Sequence, residues 1–286
     1  MNTLVIDIGG SNAKLWRTSE RDKLQFESGR DLTPKKFAQQ VKRELAGWQY
    51  DRVSIGYPGQ VLHGHPIEDP YNLGPGWVGF DFNKAFAAPV KIMNDACMQA
   101  LGSYEGGRML FIGLGTSMGS VHMIDGKIVP LALGHLLLYE GETFEQRLSR
   151  SGLERSGFKR WQRAVTDAVS ILKAAFLADY VMLGGGQAKK IEELPAGSRR
   201  GSNQMAYVGG VRMWEEDSSK WLSNGAAAGA NGKSPPRERR ERKGQVRPQN
   251  GYFEEESRRW RQKQKNRGAG KQHRTKREVT GSGAAR

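Results

Sequence analysis

LVIDIGGSNAK, residues 4–14, is the stretch whose reading decides the fold. Leu4 to Ile8 is β-branched and alternates, which predicts a strand, and Gly9-Gly10-Ser11 predicts a tight turn after it. Ala13 to Arg17 then returns as a second strand. The turn therefore follows the C-terminal end of a first strand, and Asp7 sits at that end. In α/β sheets this is where ligand-binding groups gather. A carboxylate there can hold Mg²⁺ beside a polyphosphate, or can simply hydrogen-bond its own turn.

Working outward, Leu24 to Glu27 completes an opening antiparallel meander. Thr33-Pro34 reads as an N-cap followed by proline at the first helical position. Phe37, Val41, Leu45 and Trp48 follow as one apolar helical stripe. Arg52 to Gly56 and Val90 to Met93 are short strands, and Asn94-Asp95 opens a helix through Ala100 and Leu101. Met109 to Leu114 is apolar throughout, as a buried central strand is. Val121–Ile124 and Lys127–Val129 form a hairpin about Asp125-Gly126. Trp161, Val165, Val169, Leu172 and Phe176 mark a long helix. Tyr180 to Leu183 is a strand ending in Gly184 to Gly186, before a predicted helix from Ala188 to Leu194. Strands alternating with helices, after a β-rich opening, define an α/β protein.

The chain has 286 residues, enough for one or two domains with a substantial core. The single cysteine, Cys97, excludes an internal disulfide framework and any multi-cysteine zinc site. The most apolar stretch, Val169 to Leu183, is interrupted by Lys173 and Asp179, so no membrane span is expected. The start lacks the pattern of a secretory signal, so a cytoplasmic setting is expected. The formal net charge is +15, but it is unevenly placed. Residues 217–286 hold 19 Lys/Arg and 7 Asp/Glu, a net of +12, which leaves +3 for the first 216 residues. This tail is rich in Gly, Arg, Lys and Gln and poor in aliphatics, so it is expected to be disordered. It reads as a solvated extension or as a polyanion-binding arm, with Trp260 and Tyr252 available to stack on bases. Any nucleic-acid contact is expected through the tail only.

Three glycine-rich turns each follow a predicted strand: Gly9-Gly10-Ser11 with Lys14 nearby, Gly113 to Gly119 including Gly115-Thr116-Ser117, and Gly184-Gly185-Gly186. Glycine lets backbone N–H groups approach a phosphate, and Ser11, Thr116 and Ser117 add hydroxyl donors. None matches the P-loop or the dinucleotide fingerprint. Asn94-Asp95 reads either as a helix cap or as a site in which Asp95 is a general base toward a substrate hydroxyl. His135 is either structural or a partner for such a hydroxyl.

In order, LVIDIGGSNAKLW, VSIGYPGQV, NLGPGW, VKIMNDACMQALG, FIGLGTSMGS, ALGH and VMLGGGQAKKI resemble the motifs of the ROK family of sugar kinases, closest to its polyphosphate-glucokinase-like branch, over residues 1–216. The resemblance implies the actin-like ATPase fold of hexokinase and Hsp70, with two α/β domains around a cleft, 1–96 and 97–216. It implies a phosphotransferase that moves a phosphoryl group from ATP or polyphosphate to a hexose, glucose at O6, with Mg²⁺. By that resemblance Asp95 is the catalytic base, and Asp7, Gly9, Gly10, Ser11, Lys14, Gly115, Thr116, Ser117, Gly184 and Gly185 hold the donor, with Asp7 toward the metal. Gly59, Asn72, Asn94 and His135 match the sugar pocket.

Two departures stand out. The family's E-x-G-H segment reads Ala132-Leu133-Gly134-His135 here, so one sugar-facing carboxylate is missing, with Glu140, Glu142 and Glu145 nearby in sequence. The family's cysteine-rich zinc motif is also absent. The rival readings are a non-catalytic sugar- or nucleotide-binding protein that kept the cleft, and a kinase-like body whose tail binds nucleic acid. A homodimer is the default assembly, closed dimers being the commonest.

Overall fold

A computed structural model describes residues 1–18, 23–139, 141–202 and 204–215. The tail and Glu140 lie outside the described residues. The described chain builds two five-stranded sheets with the same topology. In the first, β1 (Thr3–Ile8), β2 (Asn12–Arg17) and β3 (Leu24–Glu27) form the meander. Helix α1 (Pro34–Leu45) then leads to β4 (Arg52–Tyr57), which lies parallel to β1. After a small hairpin of β5 (Val61–Leu62) and β6 (His65–Pro66), helix α2 (Phe82–Phe86) leads to β7 (Val90–Asn94), parallel to β4. The strand order is β3-β2-β1-β4-β7.

The nine-residue helix α3 (Asp95–Ser103) follows β7 directly. The pattern then repeats. Strands β8 (Arg108–Leu114), β9 (Met118–Ile124) and β10 (Lys127–Leu131) form a second meander. A 3-10 turn (Leu133–His135), the hairpin β11 (Leu137–Tyr139) and β12 (Glu142–Thr143), and helices α4 (Phe144–Leu148), α5 (Arg150–Ser156) and α6 (Phe158–Ala175) follow. They lead to β13 (Tyr180–Gly184), parallel to β8, then β14 (Ser198–Arg200), and finally α7 (Met205–Arg212). The second order, β10-β9-β8-β13-β14, matches the first strand for strand. This duplication leaves no visible sequence repeat, because a shared topology needs only matching hydrophobic period and turn position.

The alternation of side chains along a strand sorts the core into layers. Leu4, Ile6 and Ile8 of β1 pack with α1 and α2, while Val5 faces the opposite way, into a cluster with α3 and α7. On the second sheet Leu110, Ile112 and Leu114 pack against α6, and Met109 and Phe111 face the α3–α7 layer. Helices α3 and α7 thus fill the space between the sheets. They touch backbone to backbone: a Cβ on Gly209 would collide with the Met98 carbonyl, and one on Gly102 with that of Met205. Arg212 donates to the carbonyls of Leu101, Gly102 and Tyr104 at 2.8–3.2 Å, which satisfies the C-terminal end of α3.

Two local expectations change. Helix α1 stops at Leu45, because Ala46 and Gly47 turn left-handed (φ 48° and 85°), so Trp48 packs on the core from a loop. The helix expected over Ala188–Leu194 shortens to one 3-10 turn, Ala188–Lys190, since Pro195 disfavours helical geometry at Leu194.

Candidate active site

Because Asp7 shares the parity of Val5, it ends β1 on the face toward α3. It is 4% exposed, and Lys14, opposite it on β2, brings Nζ to 3.5 Å from Oδ2. Burial raises the carboxyl above the ordinary carboxylate range, and Lys14 works against that rise. Gly9 closes the first turn by donating to the Asn12 carbonyl at 3.0 Å, and Ser11 is exposed at its tip.

Asp95 is the first residue of α3. Its Oδ1 accepts from the Ala96 N–H at 2.8 Å. Its carboxyl is raised from 3.8 to about 7, by burial first and then by the negative charge of Asp7. The two aspartates therefore share one electrostatic environment. Gly56, at the end of β4, supplies the room: a Cβ there would lie 3.4 Å from the Asp95 Cα and 2.5 Å from the Met98 methyl. Cys97, buried beside them, is pushed up to about 12 by burial and by Asp95, so it is a packing residue and not a nucleophile.

Asn94 caps α3. Its Oδ1 accepts from the N–H groups of Ala96 (3.0 Å) and Cys97 (3.3 Å), and its Nδ2 donates to the carbonyls of Gly59 (3.1 Å) and Tyr57 (3.5 Å). The capping reading of Asn94 thus holds, and the same amide fixes the Gly59 loop against the start of the helix. Asn72 reaches the first glycine turn, where a Cβ on Gly10 would stand 2.9 Å from its Nδ2. Sequence reasoning missed the residue that shapes this loop. Asp69 accepts from the N–H groups of Gly76 (3.0 Å), Trp77 (2.8 Å) and Val78 (3.4 Å), and so folds residues 69–78 around the buried Trp77.

The second glycine turn meets the same helix. A Cβ on Gly119 would lie 2.7 Å from that of Ala96, so the 113–119 turn lies against the start of α3. Thr116 and Ser117 are exposed at its tip. The third turn joins the second: Gln187 donates to the Leu114 carbonyl at 2.9 Å, and Gly185, at φ 80°, has the Leu114 backbone where a Cβ would be. Gly184 leans on the Phe111 ring. His135 is exposed on the 3-10 turn, and no hydrogen bond ties it to Asp95 among the described residues. Beside it Gly134 is covered by Glu145, whose Oε2 would be 3.1 Å from a Cβ at that position. Glu145 thus brings a carboxylate to the segment that lacks one at Ala132. Nothing local in the sequence distinguishes it from Glu142, which instead pairs with Arg147 and Arg155.

No family model matches this chain. It is 25% identical over 210 residues, 66% of its length and 78% of the relative's, to the polyphosphate glucokinase of Mycobacterium tuberculosis (strain CDC 1551 / Oshkosh). Among solved structures, the inorganic polyphosphate/ATP-glucomannokinase from Arthrobacter sp. strain KM aligns with a TM-score of 0.64 at 24% identity, covering 74% of this chain and 97% of that one. A ROK family glucokinase from Streptomyces griseus, solved with glucose and AMPPNP, aligns at 0.58 with 15% identity, covering 74% and 99%. The fold is therefore the actin-like ATPase fold of the ROK sugar kinases, as its doubled sheet indicates. In sequence the chain resembles the polyphosphate glucokinases, and the phosphotransferase class expected from the sequence is borne out by these relatives. No helix among the described residues is long and apolar enough to cross a membrane.

Proposed function

We propose that this protein is a sugar kinase that transfers a phosphoryl group from ATP or polyphosphate to the O6 hydroxyl of glucose, in a cleft between α/β domains divided near residues 96 and 97. The observation that carries the reading is that the 113–119 glycine turn lies against the start of α3, where Asp95 shares its electrostatic environment with Asp7, the carboxylate that precedes the first glycine turn. Phosphoryl transfer needs a positioned hydroxyl, a base within its reach, and donors for the phosphate oxygens. Asp95 accepts the hydroxyl proton as the sugar oxygen bonds to phosphorus and the bond to the leaving phosphate breaks. The Gly10 N–H and the hydroxyls of Ser11, Thr116 and Ser117 hold the donor, with Gly9 and Gly115 closing the turns that present them, Lys14 adding positive charge and Gly184-Gly185 supporting it behind. Gly59, Asn72, Asn94 and His135 shape the sugar pocket. Glu145 supplies the hydroxyl acceptor that Ala132 does not.

The residues fit a divalent cation. Asp7 is a buried carboxylate coupled to Asp95, and one lysine leaves excess negative charge between them. Mg²⁺ is a hard cation that ordinarily takes one or two carboxylates together with substrate phosphates. Asp7 would hold it. When bound, it neutralises charge on the transferring phosphate oxygens.

Purified full-length protein, incubated with Mg²⁺, glucose and either donor, is expected to form glucose 6-phosphate. Failure to phosphorylate any sugar in a broad hexose panel would overturn the reading. Sugar binding without turnover would assign the cleft to a non-catalytic binding protein.

A further inference from the structure

The donor-side turns are bordered by cations that the site described above does not use. The Gly115 carbonyl accepts from the backbone N–H of Arg150 at 2.8 Å, and the adjacent Leu114 carbonyl accepts from that of Gln187. Residue 150 and the segment that begins at 187 are thus tethered to consecutive residues of one glycine turn. Arg150, Lys189 and Lys190 are exposed, and their side chains have no hydrogen-bond or ion-pair partner among the described residues. Arg200 joins them from β14, its guanidinium bonded to the Ile191 carbonyl. The acids of these segments, Glu154, Glu192 and Glu193, lie further along the chain from the turn and form no ion pair with these cations.

A nucleotide and a polyphosphate chain ask different things of this border. A nucleotide presents a base beyond its phosphates, which aromatic or apolar surfaces receive. A polyphosphate presents more phosphates, which cations receive. Residues 184–202 contain no aromatic side chain, but they do contain Lys189, Lys190, Arg199 and Arg200. Arg199 is already engaged with Glu105 and the Tyr180 ring. Arg150, Lys189 and Lys190 are left to meet a ligand.

We propose that Arg150, Lys189 and Lys190 form a subsite for the distal phosphates of a polyphosphate chain whose terminal phosphate lies at the Gly113–Gly119 turn. The subsite rests on the donor reading given above and extends it: it selects a chain donor over a nucleotide by contacting phosphates remote from the reacting one. All three side chains are on the surface, so their removal leaves the core untouched.

The test is the full-length triple variant Arg150→Ala/Lys189→Ala/Lys190→Ala, assayed with saturating glucose against long-chain polyphosphate and against ATP. Loss of three exposed charge contacts predicts a rise of about tenfold or more in KM for long-chain polyphosphate. KM for ATP should rise less than twofold. The dependence of the polyphosphate KM on salt should flatten in the variant, since fewer phosphates are then neutralised by the protein. Equal changes for the two donors, or none, would overturn the subsite. Direct titration of long-chain polyphosphate into wild type and variant separates this proposal from the catalytic one. A Kd weakened about tenfold in the variant supports the subsite even if no sugar is phosphorylated, and an unchanged Kd refutes it even if glucose is.

Discussion

Replacing Asp95 by asparagine should lower activity and raise stability together. The carboxyl is moved from 3.8 to about 7 by burial and by Asp7, so the folded state disfavours its ionised form by up to about 4 kcal/mol. The sign follows from linkage. Below the unfolded value near 4 the group is protonated in both states and costs nothing. As pH rises toward 7 the unfolded chain ionises first and gains, and above 7 the full penalty persists. Asparagine is neutral throughout and keeps an oxygen for the Ala96 N–H, now 2.8 Å from Oδ1. Asp95→Asn is therefore expected to stabilise the protein at pH 8 by roughly 1–4 kcal/mol, the lower part of the range allowing for partial solvent access. It should also lose the general base, worth about 10²–10⁴-fold in turnover. Urea unfolding at pH 5 and pH 8, beside a coupled assay for glucose 6-phosphate, measures both. Turnover near that of wild type would remove Asp95 from the chemistry. A loss of stability at pH 8 would show that its charge is satisfied in the fold and that the electrostatic reasoning is wrong.

Glu145→Ala should raise KM for the sugar by roughly 5- to 150-fold through a lost hydroxyl acceptor, with little change in donor KM, and an unchanged sugar KM would detach Glu145 from the pocket. Gly209→Ala places a methyl against the Met98 carbonyl, so it should destabilise by at least about 1–3 kcal/mol in urea unfolding, whereas a change under about 0.5 kcal/mol would mean that α3 and α7 are not in backbone contact. His122 is 8% exposed, packs edge-on to Phe176 with its Nε2 unpartnered among the described residues, and titrates below its ordinary 6.5 because it is buried and lies near Arg108. The unfolded chain therefore takes up the proton first as pH falls below 6.5, so wild type should lose stability between pH 7.5 and 5.5 relative to His122→Leu, and parallel pH profiles for the two proteins would refute this.

Much of the fold was legible because it depends on local rules. The alternation in Leu4–Ile8, the unbroken apolar run of Met109–Leu114 and the stripe from Trp161 to Leu172 each dictate an element whatever surrounds it. Asp95 and the glycine turns were legible by position, at strand ends. The rest is tertiary. Whether Asn94 caps a helix or meets a ligand depends on where the carbonyls of Tyr57 and Gly59 lie, more than thirty residues away in sequence. Glu145 and Glu142 look alike in sequence, and only the packing of α4 sends one to Gly134 and the other to Arg147. The segment after Gly186 misled because its composition suits a helix, while Pro195 and the tether of Gln187 to Leu114 stop one from extending.

The seat of α7 also bears on how the chain reaches its native state. Ser54 Oγ donates to the Gly210 carbonyl, and the Trp214 indole donates to Ser54, contacts that span 156 and 160 residues. Gly210 rests directly on Val5 of the first strand. The sheet that leaves the ribosome first is therefore covered on its inner face by a helix made some hundred and fifty residues later, and loop closure over that distance slows the final assembly. Until then Val5, and the face of α3 that carries Met98, stay uncovered. For this chain the interval between synthesis of the first sheet and arrival of α7 is when aggregation threatens most, and a chaperone would have most to protect.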